Sequence, residues 1–429
     1  MTIFDVLAML LFFCALFGFL NEVFLKLPQA IGLVLIALVA SLSIITIQLV
    51  FPAFDVANQA KSALRALPFK EFLLDGILSA LLFAGALQVN LSQAAQKRYV
   101  IITMATLGTL TSALFIALTI WMLAPYLGVQ LPFLWAALFG AIISPTDPIA
   151  VIAIINSSNV PEVLRVEMTG ESLLNDGVGV VLFTLLLGLV ASGAEPQTIS
   201  HMFVQAGALF LREAVGGALL GLTTGAIAFW MLKKLDAYVI EAIVTLSLVT
   251  GTYSIAHHLG VSGPIAVVIA GLLIGNQGAT LAMSDRTRER LFPFWELVDE
   301  ILNSVLFLLI GLEILVINDF LAHAWFAIAA IPIALLARLI SVSLPIALFS
   351  RFGRASLKAI PILTWGGLRG GISVALALSL PDSQEKATLV TATYAVVVFS
   401  ILVQGLSVER LVNRIVAAEE MNRNRSGPG

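Results

Sequence analysis

The chain has 429 residues, of which 59% are apolar and 11% charged, and its mean hydropathy is +1.02. A soluble domain carries about 45–50% apolar and about 25% charged residues, so this composition excludes a soluble enzyme, a disordered chain and a nucleic-acid binder. The 23 basic and 26 acidic side chains leave a formal charge of −3 and no polycationic patch, and the single cysteine, Cys14, excludes an internal disulfide and a cysteine-based metal site.

A helix needs roughly 20 apolar residues to cross a bilayer. Apolar runs separated by Pro, Gly and charge clusters predict thirteen spans: 5–25, 29–51, 69–89, 99–124, 132–156, 165–191, 201–232, 238–258, 262–276, 293–317, 321–349, 357–380 and 386–409. Met1 to Asp5 holds no Lys or Arg, so the first run is expected to remain as a helix and not to be removed as a signal. The loops alternate in charge. One set holds Lys26, Lys97, Arg98, Arg165, Lys233, Lys234, the arginines of 286–290, those of 351–354 with Lys358, and Arg410 to Arg425. The other set holds only Lys61, Arg65, Lys70 and Lys386. The positive-inside rule then places the N-terminus outside and the C-terminus in the cytoplasm. Asp285 to Arg290 reads as a solvated cytoplasmic loop and 410–429 as a short cytoplasmic tail. Trp121, Trp135, Trp230, Trp295 and Trp325, near span ends, read as interface anchors.

Thirteen spans divide as six, one and six. The predicted fold is an all-α polytopic membrane protein in one transmembrane domain, 1–429. A first repeat at 5–191 and a second at 238–409 would be joined by a linking helix at 201–232. The odd linker gives the two sixes opposite orientation, the pattern of inverted-repeat transporters. The fifth span of each half is interrupted in its middle, by Ser144-Pro-Thr-Asp-Pro148 and by Gly366-Gly-Leu-Arg-Gly-Gly371. Prolines and glycines at membrane depth open the backbone. Opened backbone must line a cavity or lie within protein, and paired breaks point to a binding site near the midplane.

Charges inside apolar spans are costly and need a partner, a cavity or a function. The sixth span holds the densest group, Glu167, Glu171, Ser172, Asn175 and Asp176. Helical spacing stacks Glu171 on Asn175 and Ser172 on Asp176, in adjacent stripes. Together with Thr146 and Asp147 on the broken fifth span, they form an oxygen-rich set suited to a hard cation. A carboxylate in a dry pocket keeps a proton more readily than one in water, and one Asp holds a proton or a cation but not both. That competition is enough to couple their movements. Arg338, in mid-span, requires a carboxylate partner. Arg369 is placed to neutralise the negative C-terminal end of a half-helix. Glu213, Glu241 and Glu313 read as local pairs or interface residues, and His257 and His258 as a solvated helix end.

These motifs resemble the sodium/proton exchanger family of cation:proton antiporters, over nearly the whole chain. The resemblance rests on SPTDP at 144–148, GESLLNDG at 170–177, mid-helix Arg338 and GGLRGG at 366–371, none of which departs from the family pattern. It implies that Asp176 alternately binds cation and proton, that Asp147 and Ser172 ligate the ion with the Thr146 carbonyl, and that Glu171 pairs with Arg338. Asn175 beside Asp176 implies electroneutral one-for-one exchange. The resemblance further implies a homodimer, a core domain (spans 4–6 and 11–13) moving against a scaffold (spans 1–3 and 7–10), and no organic cofactor. The expected activity is therefore exchange of Na⁺, with Li⁺, for H⁺ across a plasma membrane, the inner membrane of a bacterium. Same-fold K⁺/H⁺ exchange is one alternative and a cation channel another. No nucleophile or His-rich metal constellation lies within the spans to suggest an enzyme.

Overall fold

The structure is a computed structural model that describes residues 3–51, 61, 76–147, 162–191, 199–317, 320–352 and 355–425. Its elements are helical: α1 (Ile3–Leu20, extended by a wide turn at Asn21–Leu25), α2 (Gln29–Val50), α3 (Leu78–Gln88), α4 (Arg98–Leu127), α5 (Phe133–Ile143), α6 (Glu162–Ala191) and α7 (Ile199–Lys234). They continue with α8 (Tyr238–Leu259), α9 (Gly263–Leu281), α10 (Asp285–Glu313) and α11 (Ala324–Ser350). The chain ends in α12, split into Ala359–Trp365 and Gly371–Leu378, and α13, which runs through Gln384–Phe399 and a wide turn at Ser400–Gln404 into Gly405–Arg425. Among the described residues nine helices are long and apolar enough to cross a membrane, and α3 and α5 are shorter apolar helices. The two remaining elements, α10 with its charges and the split α12, fall on the other two predicted spans. The protein is thus a multi-pass, all-helical membrane protein. The second part of the fifth predicted span, 148–156, and the start of the third lie outside the described residues.

Two hydrophobic clusters share α3 to α13 between them. One takes Ile116 and Ile120 of α4, Phe139 of α5, Phe183 of α6, Phe326 of α11, Leu376 of α12 and Val396 of α13. The other takes Phe83 of α3, Leu232 of α7, Leu248 of α8, Val267 of α9 and Trp295 of α10. A third cluster joins the two groups, with Ile31 of α2 and Phe307 of α10 against Met104 of α4, Leu363 of α12 and Tyr394 of α13.

Several expectations need correction. Asp285 to Arg290 is the first turns of α10, not a loop. Ser284 caps the helix by accepting from the Thr287 amide at 3.2 Å, Asp285 stands at the positive N-terminal end, and Arg288 pairs with it one turn on. Gly405–Arg425 is helical, so the tail expected from 410 starts as a continuation of α13. The ninth helix reaches Leu281, beyond the predicted end at 276. Trp135 and Trp295 are not interface anchors. Trp135 lies in the first cluster, and Trp295 is fully buried, its indole donating to Thr245 Oγ1 at 3.0 Å and its ring 4.7 Å from that of Phe83. Trp121, Trp230 and Trp325 are exposed along the outer surface. Glu241 is buried against α10, where it accepts from Thr287 Oγ1 at 2.8 Å.

Candidate functional site: the end of α5 across the break in α12

The last helical bond of α5 runs from the Ser144 amide to Gly140, after which Pro145 to Asp147 leave the helix. Pro145 has no N–H to continue the ladder. Opposite, α12 opens between Trp365 and Gly371. The two openings cross. The Asp147 amide donates to the Leu368 carbonyl at 2.8 Å, and Arg369 Nη1 donates to the Ser144 and Pro145 carbonyls, each at 2.8 Å. Ser373 Oγ donates to the Ile142 carbonyl at 2.7 Å, and the Arg369 amide donates to Ser400 Oγ in the wide turn of α13 at 2.9 Å. Thus the Ile142, Ser144 and Pro145 carbonyls at the end of α5 meet donors from α12, and the half-helix that Arg369 neutralises is the one on the other break.

The glycines of the α12 break provide room. A Cβ on Gly370 would overlap the Asp147 carboxylate, and a Cβ on Gly367 would overlap the Arg338 guanidinium. Neither has positive φ; the glycine is required by the approach of a charged neighbour.

Helix α6 faces this crossing with its polar stripes. Asn175 holds Thr146 at both ends of its amide: Oδ1 accepts from the Thr146 N–H at 3.2 Å and Nδ2 donates to Thr146 Oγ1 at 2.8 Å. Ser172 Oγ donates to the Thr146 carbonyl. One turn away, Glu171 receives both Nη groups of Arg338 in a two-pronged ion pair, with Arg338 Nε on the Leu363 carbonyl at 3.2 Å. Both partners are buried, so the pair ties α6, α11 and the first half of α12 together. Glu167 pairs instead with Lys97 at 3.5 Å, at the start of α4.

Asp147 and Asp176 stand on the wall of a cavity of about 350 Å³. Thr169 and Leu173 of α6 continue that wall, and Ile372 of α12 closes it. The opposite wall belongs to the other helix group: Gln29 of α2, Gln88 of α3, and Glu296, Asp299, Glu300, Asn303 and Ser304 of α10. Gln29 and Gln88 are exposed and lie at helix ends next to the loops of the Lys/Arg-rich set. Gln29 Nε2 donates to Ser304 Oγ at 2.7 Å across this wall. Among the described residues no three His, Cys, Asp or Glu side chains converge as a metal cage.

All eight residues singled out in the sequence therefore meet at or around the crossing: Asp176 and Asp147 at the cavity, Thr146, Ser172 and Asn175 in one bonded cluster, Glu171 with Arg338, and Arg369 across the breaks. The α10 wall is what the sequence reading missed. Its signal was present, since Glu296, Asp299, Glu300, Asn303 and Ser304 recur at helical spacing on one face.

Residues 6–414 match the family model described as "Sodium/hydrogen exchanger, transmembrane". The chain belongs to the sodium/hydrogen exchanger family. It is 42% identical over 425 residues to the Na⁺/H⁺ antiporter NhaP of Pseudomonas aeruginosa, covering 98% of this chain and 99% of that protein. It is 35% identical to the Na⁺/H⁺ antiporter NhaH of Halobacillus dabanensis, covering 91% of this chain and 93% of that one. The solved structure of the sodium proton antiporter MjNhaP1 from Methanocaldococcus jannaschii at pH 8 superposes with a TM-score of 0.73 at 19% identity, over 96% of this chain and 98% of that chain. This last likeness establishes a shared fold.

Proposed function

We propose that this protein is a secondary antiporter that exchanges Na⁺, with Li⁺, for H⁺, one for one, by competition of cation and proton for Asp176. The observation that carries the reading is the placement of Asp176 and Asp147 on one cavity wall beside a helix crossing whose other carbonyls are already taken by Arg369. The Na⁺/H⁺ antiporters named above, at 35–42% identity over nearly full length, support the same activity.

The chemistry follows from the bonds. A cation entering the cavity meets two carboxylates. Asp176 is its charge partner, and Asp147 contributes a second set of oxygens. Ser172 Oγ donates to the Thr146 carbonyl; a bound cation would replace that bond by taking both oxygens as ligands, which suits a hard ion. Asn175 keeps Thr146 turned so that its carbonyl stays within reach of Ser172. When a proton occupies Asp176, the Ser172–Thr146 bond re-forms and the cation is lost. Glu171, Arg338 and Arg369 hold the frame and carry no ion. A set with so few charged ligands binds weakly enough to release.

The exposed rim at Gln29 and Gln88 borders the Lys/Arg-rich loops, so the cavity faces the cytoplasm when the termini are placed as the positive-inside rule requires, N-terminus outside and C-terminus inside. Alternating access would come from moving the α4–α6 and α11–α13 group against α1–α3 and α7–α10; the two separate hydrophobic clusters support that division. We read the protein as a homodimer in a bacterial plasma membrane, built from two inverted repeats and working without an organic cofactor.

The test is cation-induced proton flux in proteoliposomes loaded acid-inside, for the parent and Asp176→Asn. Dequenching of a pH dye by Na⁺ and Li⁺, lost in a folded Asp176→Asn protein, is expected. A response to K⁺ alone would change the substrate, currents above transporter rates would make it a channel, and flux retained in the mutant would reject Asp176. An imposed membrane potential should leave the rate nearly unchanged; strong acceleration would reject one-for-one exchange.

A further inference from the structure

The cavity has a second polar wall that the exchange mechanism above does not use. Glu296, Asp299, Glu300 and Asn303 lie at i, i+3, i+4 and i+7 on α10, and all four line the cavity. Their exposure falls along the helix: Glu296 and Glu300 are exposed, Asp299 is half-buried, and Asn303 is only 5% exposed. Asn303 is unusual in one more respect. Its amide nitrogen meets the Asp299 carboxylate one turn back, but its amide oxygen has no hydrogen-bond partner, although it is shut away from bulk water. Buried amide oxygens are almost always bonded, and this residue lines the cavity. Nor does any ion pair among the described residues join Asp299 to a basic side chain. Its charge acts on the facing Asp147 carboxylate.

We infer that Asp299 and Asn303 form a cation station on α10, which holds a partly hydrated monovalent cation between the cytoplasmic mouth and Asp176. The carboxylate supplies the charge and the Asn303 carbonyl a second hard oxygen one helical turn deeper. Water would fill the remaining positions, since among the described residues no group of three His, Cys, Asp or Glu side chains converges there. The exposed Glu296 and Glu300 raise the local cation concentration at the mouth. The station sits on the helix group that faces the two binding carboxylates, so it serves the ion only while the cavity is open on this side. It rests on the reading of Asp176 and Asp147 as the binding carboxylates.

The experiment measures the KM for Na⁺ in oppositely oriented membrane vesicles, with Na⁺ presented either from the cavity side or from the other side. Asp299→Asn is expected to raise the cavity-side KM about three- to tenfold, the size of one partly screened charge at this range, and to leave the maximal rate within about twofold. Asp299→Glu should restore it. Asn303→Asp, which adds a charge in place of the amide, should lower the cavity-side KM. From the opposite side all three variants should behave as the parent. Cavity-side KM values that match the parent in both Asp299→Asn and Asn303→Asp would overturn the station. Equal shifts from both sides would also overturn it, by showing a general structural effect. If Asp299→Asn does not fold, the opposite-sign Asn303→Asp shift decides alone. Loss of exchange in Asp176→Asn with no sided shift in the α10 variants would sink only the station; exchange retained in Asp176→Asn would sink the binding site and the station with it.

Discussion

The end of α5 and the break in α12 meet at one point but are built from opposite materials. The α5 break is made of oxygen: Ser144, Pro145 and Thr146 offer carbonyls, and Asp147 a carboxylate. The α12 break is made of space and positive charge: glycines that admit the Arg338 and Asp147 side chains, and Arg369, whose guanidinium takes the Ser144 and Pro145 carbonyls. A helix broken in a membrane leaves unpaired carbonyls on one side and unpaired amides on the other. Here one break presents the acceptors and its counterpart satisfies most of them. What stays available is the Thr146 carbonyl, held by an exchangeable hydroxyl. In the proposed exchange mechanism this asymmetry keeps the crossing rigid and one position open to an ion.

That contrast can be broken at its supports. The largest effect is expected where a buried charge loses its partner. Glu171→Ala leaves Arg338 unpaired, and Arg338→Ala leaves Glu171 so; either should cost about 3–5 kcal/mol of stability, read as a lower melting temperature in detergent. Melting like the parent in both would mean that the pair does not hold α6 to α11. Arg369→Gln should come next. It removes the charge that serves two α5 carbonyls, and hydrogen bonds to charged groups are worth about 1.5–3 kcal/mol. Thermal melting measures that loss, and Arg369→Lys, which keeps the charge without the planar fork, should recover only part of it. The smallest effect belongs to the open position. Ser172→Ala removes one neutral hydroxyl and its bond to the Thr146 carbonyl, worth about 0.5–1.5 kcal/mol, so the melting temperature should fall less than in the other variants while the KM for Na⁺ rises a few-fold to about tenfold. A Ser172→Ala protein with unchanged KM would remove the hydroxyl from the ligand set.

Much of this was legible in the sequence. Prolines at 145 and 148 and glycines at 366–371 mark breaks in any apolar span, and an arginine in mid-membrane demands a carboxylate. The partner of Arg338 and the carbonyls under Arg369 follow from that demand once helices are packed. Other features depended on context that a linear pattern does not carry. The first turns of α10 look like a loop because their charges mask a helix start that only the Ser284 cap reveals. Trp295 sits near a span end, yet its neighbours are Phe83 of α3 and Thr245 of α8, residues far away in the chain. The Asp299–Asn303 stripe had the right spacing, but spacing alone does not say whether a polar face meets water, lipid or a cavity.

The bond between the Asp147 amide and the Leu368 carbonyl, with the double contact of Arg369, has a hereditary consequence. Segments 144–147 and 366–371 share one set of bonds although more than two hundred residues separate them, so neither can drift without the other. A chimera that takes one of these segments from a distant exchanger should lose function, and one that takes both should regain it. Within this fold the two motifs are a single unit of inheritance written in two places.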